Sequence, residues 1–376
     1  MRRRTLVRGV GAGTGAALTG LAGCLTRDAE EDGQDDGGEE LDNSALRIAT
    51  YTSMVTGERP AGRWLEEAFL EERPDAELDW RVPEAGIEHF IRRGEIDADP
   101  GADVYLGLTL GELVRVDEAL GGGSELFESL ERDRLDRVGR LRDELTVDDP
   151  GGRVLPFDTG YLSLVYDERD LESGPPDSFD GLLESEYERA LLAQDPRSSD
   201  PGLAFLLWTI AAAGEDGYRE YWRALRDNGL RLAGSWTDAY RNRYLEGEGS
   251  MVVSYSTDRV GAAAAERPLA LHQVAMLEDA GYRNTEFAAV FADGARKELA
   301  YEFLDFLLSS TAQAEIAARN VQFPAVADAS VDLESSFADR AREPERTVTM
   351  TYDDLRGSLG DWLSEWEAVW TGESDG

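Results

Sequence analysis

Gln194-Asp195-Pro196-Arg197-Ser198-Ser199-Asp200-Pro201-Gly202-Leu203-Ala204-Phe205-Leu206-Leu207-Trp208 reads as a polar loop running straight into an apolar helix. Asp200 suits the N-cap, and Pro201 the first helical position, where its missing N–H would be unpaired anyway. The loop therefore sets the Ser198 and Ser199 hydroxyls beside the free N–H groups of a helix start. Such a place favours an anion such as phosphate by roughly 0.3–2 kcal/mol. An ordinary capped helix accounts for the same residues, so the decision rests on what flanks them.

Upstream, strand-like runs alternate with helical ones. Leu46 to Tyr51 is a short strand, and Gly62 to Phe69 has helical spacing with Trp64, Leu65, Ala68 and Phe69 on one side. Glu77 to Val82 alternates as a strand, Ile87 to Arg93 is helical, and Ala102 to Leu108 is a strand entering a loop. That order implies a parallel sheet covered by helices, with ligands at the carboxyl ends of its strands. Tyr51 lies at one such end and Gly107 to Thr109 at another. Arg153 to Asp167 reads as a strand, a break and a strong strand, the passage from one lobe to a second.

Downstream, Tyr218 to Arg226 predicts a helix with Tyr221, Trp222 and Leu225 in its core face. Gly234 to Tyr240 puts Trp236 and Tyr240 four apart at a helix start. Ser250 to Asp258 is a buried strand with a polar end that carries Tyr255. Phe287 to Phe291 is a further strand, Lys297 to Leu308 an amphipathic helix, and Asn320 to Ala325 a loop. Trp362, Trp366 and Trp370 form one row on a last helix, the pattern of a packing face.

The 376 residues suffice for two ordinary domains, and 41% hydrophobic content for real cores. The formal net charge is -39, and Lys297 is the only lysine. This acidic, arginine-based make-up resembles that of proteins from salt-loving archaea. In near-molar salt the Debye length is about 3 Å, which screens the self-repulsion. Such a surface argues against nucleic-acid binding. Residues 1–24 fit an export signal: Arg2-Arg3-Arg4 suggest the twin-arginine route, and Leu21-Ala22-Gly23-Cys24 resembles a lipoprotein cleavage box. Cys24 is the only cysteine and the expected lipid anchor to the membrane. The acid- and glycine-rich stretch that follows, 25–45, reads as a disordered tether.

His89 and His272 are the only histidines, and neither has a second metal-type ligand at useful spacing. No nucleophile–base pair, phosphate loop or dinucleotide fingerprint is present, so neither catalysis nor a cofactor is expected. What recurs is aromatics at strand or helix ends: Tyr51, Tyr161, Trp236, Tyr240, Tyr255 and Tyr282. Aromatic faces stack flat rings and attract cations, at roughly 0.5–2 kcal/mol each, and Asp158 supplies counter-charge.

From Leu46 to about Ala327 the chain resembles the thiamine-binding subunit of bacterial ABC importers. The resemblance rests on Pro156-Phe157-Asp158-Thr159-Gly160-Tyr161, the Gln194–Leu203 stretch, Gly234-Ser235-Trp236 and Val253-Ser254-Tyr255-Ser256-Thr257. It implies an α/β, periplasmic-binding-protein-like fold: two lobes, each a mixed sheet flanked by helices, hinged to close on thiamine or its phosphates and served by a permease. The expected boundaries are 46–155 with 265–330 for lobe one, 156–264 for lobe two, and 331–376 for a C-terminal helical region. It also implies that Tyr51, Ser199 and Trp236 touch the ligand, the last by stacking. Three positions depart from the family: Ala85 replaces an aspartate that holds the aminopyrimidine, and Val260 and Val321 replace aromatics. Related subunits take ferric iron or polyamines, which are the alternatives.

Overall fold

Val154–Tyr166 (β4) forms one uninterrupted strand where the sequence suggested a strand, a break and another strand. Its first half pairs antiparallel with Ala280–Val290 (β9), its second half with Met251–Tyr255 (β7) and Gln273–Ala275 (β8). Proline cannot donate to a ladder, so it is tolerated inside a sheet only at an edge or bulge. Here the register shifts between Pro156 and Asp158, a bulge that lets the strand continue.

The computed structural model describes residues 45–121, 126–171, 173–328, 331, 333 and 335–372. The expected export signal, Cys24 and nearly all of the tether lie outside the described residues, as does most of the Gly121–Ser124 loop. The described residues make one compact unit.

The sheet is mixed. Its main path runs Leu78–Arg81 (β2), Leu46–Ala49 (β1), Val104–Leu108 (β3), β9, β4, β7, Leu191–Gln194 (β5) and Arg231–Ala233 (β6). β1 is parallel to β2 and β3, as the strand–helix alternation predicts, and β5 is parallel to β6 and β7, a pairing the sequence reading did not reach. The two parallel ends are joined through antiparallel β9 and β4. Phe323–Pro324 (β10) adds to β4, and Arg346–Val348 (β11) to β9, so the C-terminal region is not wholly helical.

The helices are Thr52–Val55 (α1), Ala61–Glu72 (α2), Ile87–Gly94 (α3), Leu110–Leu120 (α4), Asp200–Ala213 (α5), Tyr218–Asp227 (α6), Asp258–Ala264 (α7), Lys297–Leu307 (α8), Ser310–Arg319 (α9), Ser335–Ala338 (α10), Tyr352–Leu355 (α11) and Leu359–Thr371 (α12). Two corrections bear on the site. The N-cap of α5 is Ser199, not Asp200, and no side-chain bond caps it; Asp200 is the first helical residue. The aromatic pair enters a π-helix, Thr237–Tyr244, with Trp236 at its N-cap, a rare form often found at functional sites.

Two large cores flank the sheet. Leu46, Phe69, Val104 and Phe303 lie in one; Leu164, Phe205, Trp208 and Trp222 lie in the other. The tryptophan row is a packing face, as its spacing predicts: Trp366 is fully buried edge-on to Trp222, with centroids 5.5 Å apart. α12 packs on both α6 and α4. The same segment donates from the Tyr352 hydroxyl to Asp117 and from the Gly357 N–H to Glu118, both on α4.

Candidate functional site

The bulge in β4 decides the chemistry of the middle of the sheet. It sends Phe157 into the apolar core and leaves Asp158 directly opposite Glu286 of β9. Directly opposed residues on antiparallel strands have Cβ atoms roughly 4.5–5.5 Å apart. Tyr51, just past β1, donates its hydroxyl to Glu286 Oε2 at 2.7 Å. Asn320 Nδ2, after α9, reaches the Tyr51 hydroxyl at 2.9 Å and Asp158 Oδ2 at 2.7 Å. Asn284 Nδ2 of β9 donates to the hydroxyl of Tyr255, at the end of β7, at 3.1 Å.

Two glycines make this approach possible. A Cβ on Gly107, whose φ is +102°, would lie 2.4 Å from the Tyr51 ring. One on Gly160 would lie 2.2 Å from Gln322 Oε1 and 2.7 Å from the Tyr255 ring. Val321, between Asn320 and Gln322, has φ +56°, an unusual value for a β-branched residue. Backbone outliers of this kind concentrate at functional sites.

The site is strongly acidic inside. Asp158 is 0% exposed and its Oδ1 has no partner. Burial pushes its carboxyl up to about 7, against the opposing bond from Asn320. Burial, and then the charge of Asp158, push Glu286 well above the usual carboxylate range. Asp200 retains some exposure, yet enclosure raises it to about 6, with Arg115 pulling the other way. Glu112 is raised by burial and next by Asp200, although its Oε2 accepts from the Thr109 N–H at 2.9 Å in a capping box. Among the described residues none of these four carboxyls forms an ion pair, and Arg115 is bound instead to Glu88. Other buried polar atoms stand unpartnered around them: Thr50 Oγ1, Gln194 Oε1, Ser256 Oγ, Thr257 Oγ1 and Gln322 Oε1. Thr50, Gln194, Ser256 and Thr257 lie at or just beyond the carboxyl ends of β1, β5 and β7. Unsatisfied buried polar atoms are costly, so their concentration at one end of the sheet marks a place shaped for a ligand.

Of the residues singled out in the sequence, Tyr51, Asp158 and Tyr255 meet in this cluster. Ser198 donates to the Gly234 carbonyl at 3.0 Å, tying its loop to the segment before Trp236, and Ser199 caps α5 beside Asp200. Arg197 is held by Asp195 and Glu367, so it is not free for an anion. Trp236 stacks on Tyr240 at 4.6 Å and 12°, and its Nε1 donates to Ser254 Oγ at 3.0 Å, next to Tyr255. Tyr240 is buried, with its hydroxyl 3.0 Å from His272 Nδ1, so it supports Trp236 from behind. Tyr161 lies elsewhere, against Phe323 in an apolar cluster with Val260 and Phe337. Tyr282 is buried and lines a small cavity with Thr109, Asp200 and Asn284.

Sequence reasoning missed Glu112, Asn284, Glu286, Asn320 and Gln322. The one available signal was polar alternation at Asn284 and Glu286 inside a strand, hidden because that strand was expected to begin at Phe287.

Among the described residues no helix is long and apolar enough to cross a membrane, and no group of three or more His, Cys, Asp or Glu is placed to hold a metal. A family model described as bacterial extracellular solute-binding protein matches residues 122–356. The chain belongs to that family. It is 31% identical over 326 residues to the thiamine-binding periplasmic protein of Escherichia coli (strain K12), covering 86% of this chain and 92% of that one. It is 29% identical over 324 residues to the protein of the same name from Brucella melitensis, covering 86% and 91%. A solved structure of a periplasmic thiamin binding protein superposes with a TM-score of 0.74 at 27% identity, over 87% of this chain and 96% of that one. The fold is thus the periplasmic-binding-protein-like α/β fold that the resemblance implied. A ferric binding protein from Campylobacter jejuni, at 14% identity and a TM-score of 0.68, shares that fold.

Proposed function

We propose that this solute-binding protein is the extracytoplasmic thiamine receptor of an ABC importer, taking thiamine or a thiamine phosphate between two closing lobes. One observation carries the reading: Asp158, fully buried, and Glu286, half-buried, face each other and have no basic partner among the described residues, with Tyr51 and Tyr255 beside them. A flat organic cation supplies what that arrangement lacks, and relatives of similar length are named for thiamine. Trp236 offers a stacking face, and the Ser198–Ser199 loop takes the polar or phosphorylated end. The lobes follow the boundaries given above, with the first crossing inside β4. A cavity of about 40 Å³ lined by Thr109, Asp200, Tyr282 and Asn284 lies next to the cluster, and in this reading the ligand enters by hinge opening. In this reading Cys24 carries the lipid, the twin-arginine signal directs export, and the acidic surface suits a salt-rich medium.

A thermal-shift series in near-molar salt tests the ligand. A ligand at a hundred times its Kd stabilises by about 2.7 kcal/mol through mass action. Thiamine or its monophosphate raises Tm, and spermidine and ferric citrate do not. A shift with spermidine or ferric citrate and none with thiamine would overturn the assignment. Recovery of thiamine phosphates unchanged after incubation supports a receptor; hydrolysis would make it an enzyme.

A further inference from the structure

Two carboxylates directly opposite each other across a ladder repel, and inside a protein that repulsion is poorly screened. Asp158 and Glu286 are such a pair, and no arginine or lysine among the described residues pairs with either. Their partners are neutral: Asn320 for Asp158, and the Tyr51 hydroxyl for Glu286. Two charges facing each other this way, with Asp158 fully buried and Glu286 half-buried, would be costly, which favours a single proton held by the pair. Asp158 Oδ1 and Gln322 Oε1, the latter beside Gly160 of β4, belong to residues more than nine-tenths buried and have no partner.

The surroundings do not relieve the pair. Tyr51 after β1, Tyr105 on β3, Glu112 on α4, Asp200 on α5 and Tyr255 on β7 contribute acids or phenols. Arg115 on α4, which acts on Asp200 and Glu112, is bound to Glu88.

We propose that ligand binding here is an exchange of positive charge: the cationic ring of thiamine replaces a proton shared between Asp158 and Glu286, and that proton leaves to solvent. This rests on the thiamine reading above. Asp158 is thereby a specificity residue for ligand charge, and Glu286 its equal partner. A neutral ring of the same shape gains nothing from the exchange. The direction of the pH effect follows: burial raises both carboxyls, Asp158 to about 7, so affinity for a permanent cation rises with pH across the neutral range and is weaker in acid. For one displaced proton the gain is about tenfold between pH 6 and pH 8.

Calorimetric titration of the intact wild-type protein with thiamine, in near-molar salt and in two buffers of different ionisation enthalpy, counts the protons directly. The expected result is release approaching one proton per thiamine at pH 6, with the tenfold affinity gain by pH 8. Glu286→Gln and Asp158→Asn, which keep the shape and remove the repulsion, flatten the affinity profile and abolish the buffer dependence. Thiamine binding in the wild type with identical enthalpy in both buffers and constant affinity over this range would overturn the exchange and leave the receptor assignment standing. Absence of thiamine binding at every pH would overturn both.

Discussion

Trp236→Ala is the most direct probe of the ligand face. In the structure one face of the indole is covered by Tyr240, 4.6 Å away and nearly parallel, and the Arg241 guanidinium lies over the ring 5.8 Å from its centroid, so a ligand can use one face at most. The Nε1–H is already committed to Ser254 Oγ. What the ligand loses is therefore one cation–π and stacking contact, roughly 1–2 kcal/mol, or about ten- to thirtyfold in Kd. The fold loses a neutral stack of about 0.5–1.5 kcal/mol and one hydrogen bond of about 0.5–1.5 kcal/mol. These costs are separable: affinity is read by calorimetry on protein whose folding is confirmed by its melting curve. The titration belongs in near-molar salt, because low salt exaggerates charge effects in so acidic a chain. Tyr240→Leu should cost less affinity, since it removes the backing and not the ligand face. It should also be less than additive with Trp236→Ala, because both act through the same ring. Unchanged affinity in folded Trp236→Ala protein would refute the stacking role.

Gly107→Ala forces a methyl group to within 2.4 Å of the Tyr51 ring at a backbone φ of +102°; it should break the Tyr51–Glu286 bond and lower both Tm and thiamine affinity, and wild-type affinity would refute the role of Tyr51. Ser199→Ala should leave stability nearly unchanged, as its hydroxyl caps no helical N–H, while weakening thiamine monophosphate more than thiamine; equal calorimetric losses would place the phosphate elsewhere. Arg153→Leu leaves Asp117 and Asp149 buried without their shared guanidinium and should cost about 3–5 kcal/mol in denaturant titrations. Because Arg153 holds Asp149 below the usual carboxylate range, the wild-type contribution is complete above about pH 4 and is lost as pH falls below it, so the gap between variant and wild type should narrow in acid.

The elements governed by local pattern were legible. α2, α6, α8 and α12 carry apolar residues at helical spacing that match the faces they bury. The parallel pairing of β1 with β2 and β3 follows from strand–helix alternation. What local pattern hides is the pairing of distant segments. β9 belongs beside β3 and β4, though more than a hundred residues separate it from either. The break expected between Arg153 and Asp167 does not occur, although Pro156 lies in the strand. A bulge satisfies the same missing donor without ending the ladder. One residue likewise separates Asp200 from Ser199 as the cap of α5, because both types suit the position and only the backbone decides.

The site was legible by half for the same reason. Tyr51, Tyr255, Trp236 and Ser199 stand at element ends, where a sequence pattern can point. Glu286 stands mid-strand, one among 77 acids, and nothing local distinguishes it. Its chemistry is made by the register that sets it opposite Asp158, and that register depends on the bulge at Phe157. Move the pairing by one residue and Asp158 would face either Thr285 or Phe287, leaving a lone buried acid with no repulsion to shed. The acidic pair is thus a product of topology more than of composition. A chain with the same acids and a continuous, unbulged β4 would have no reason to exchange a proton for a cation.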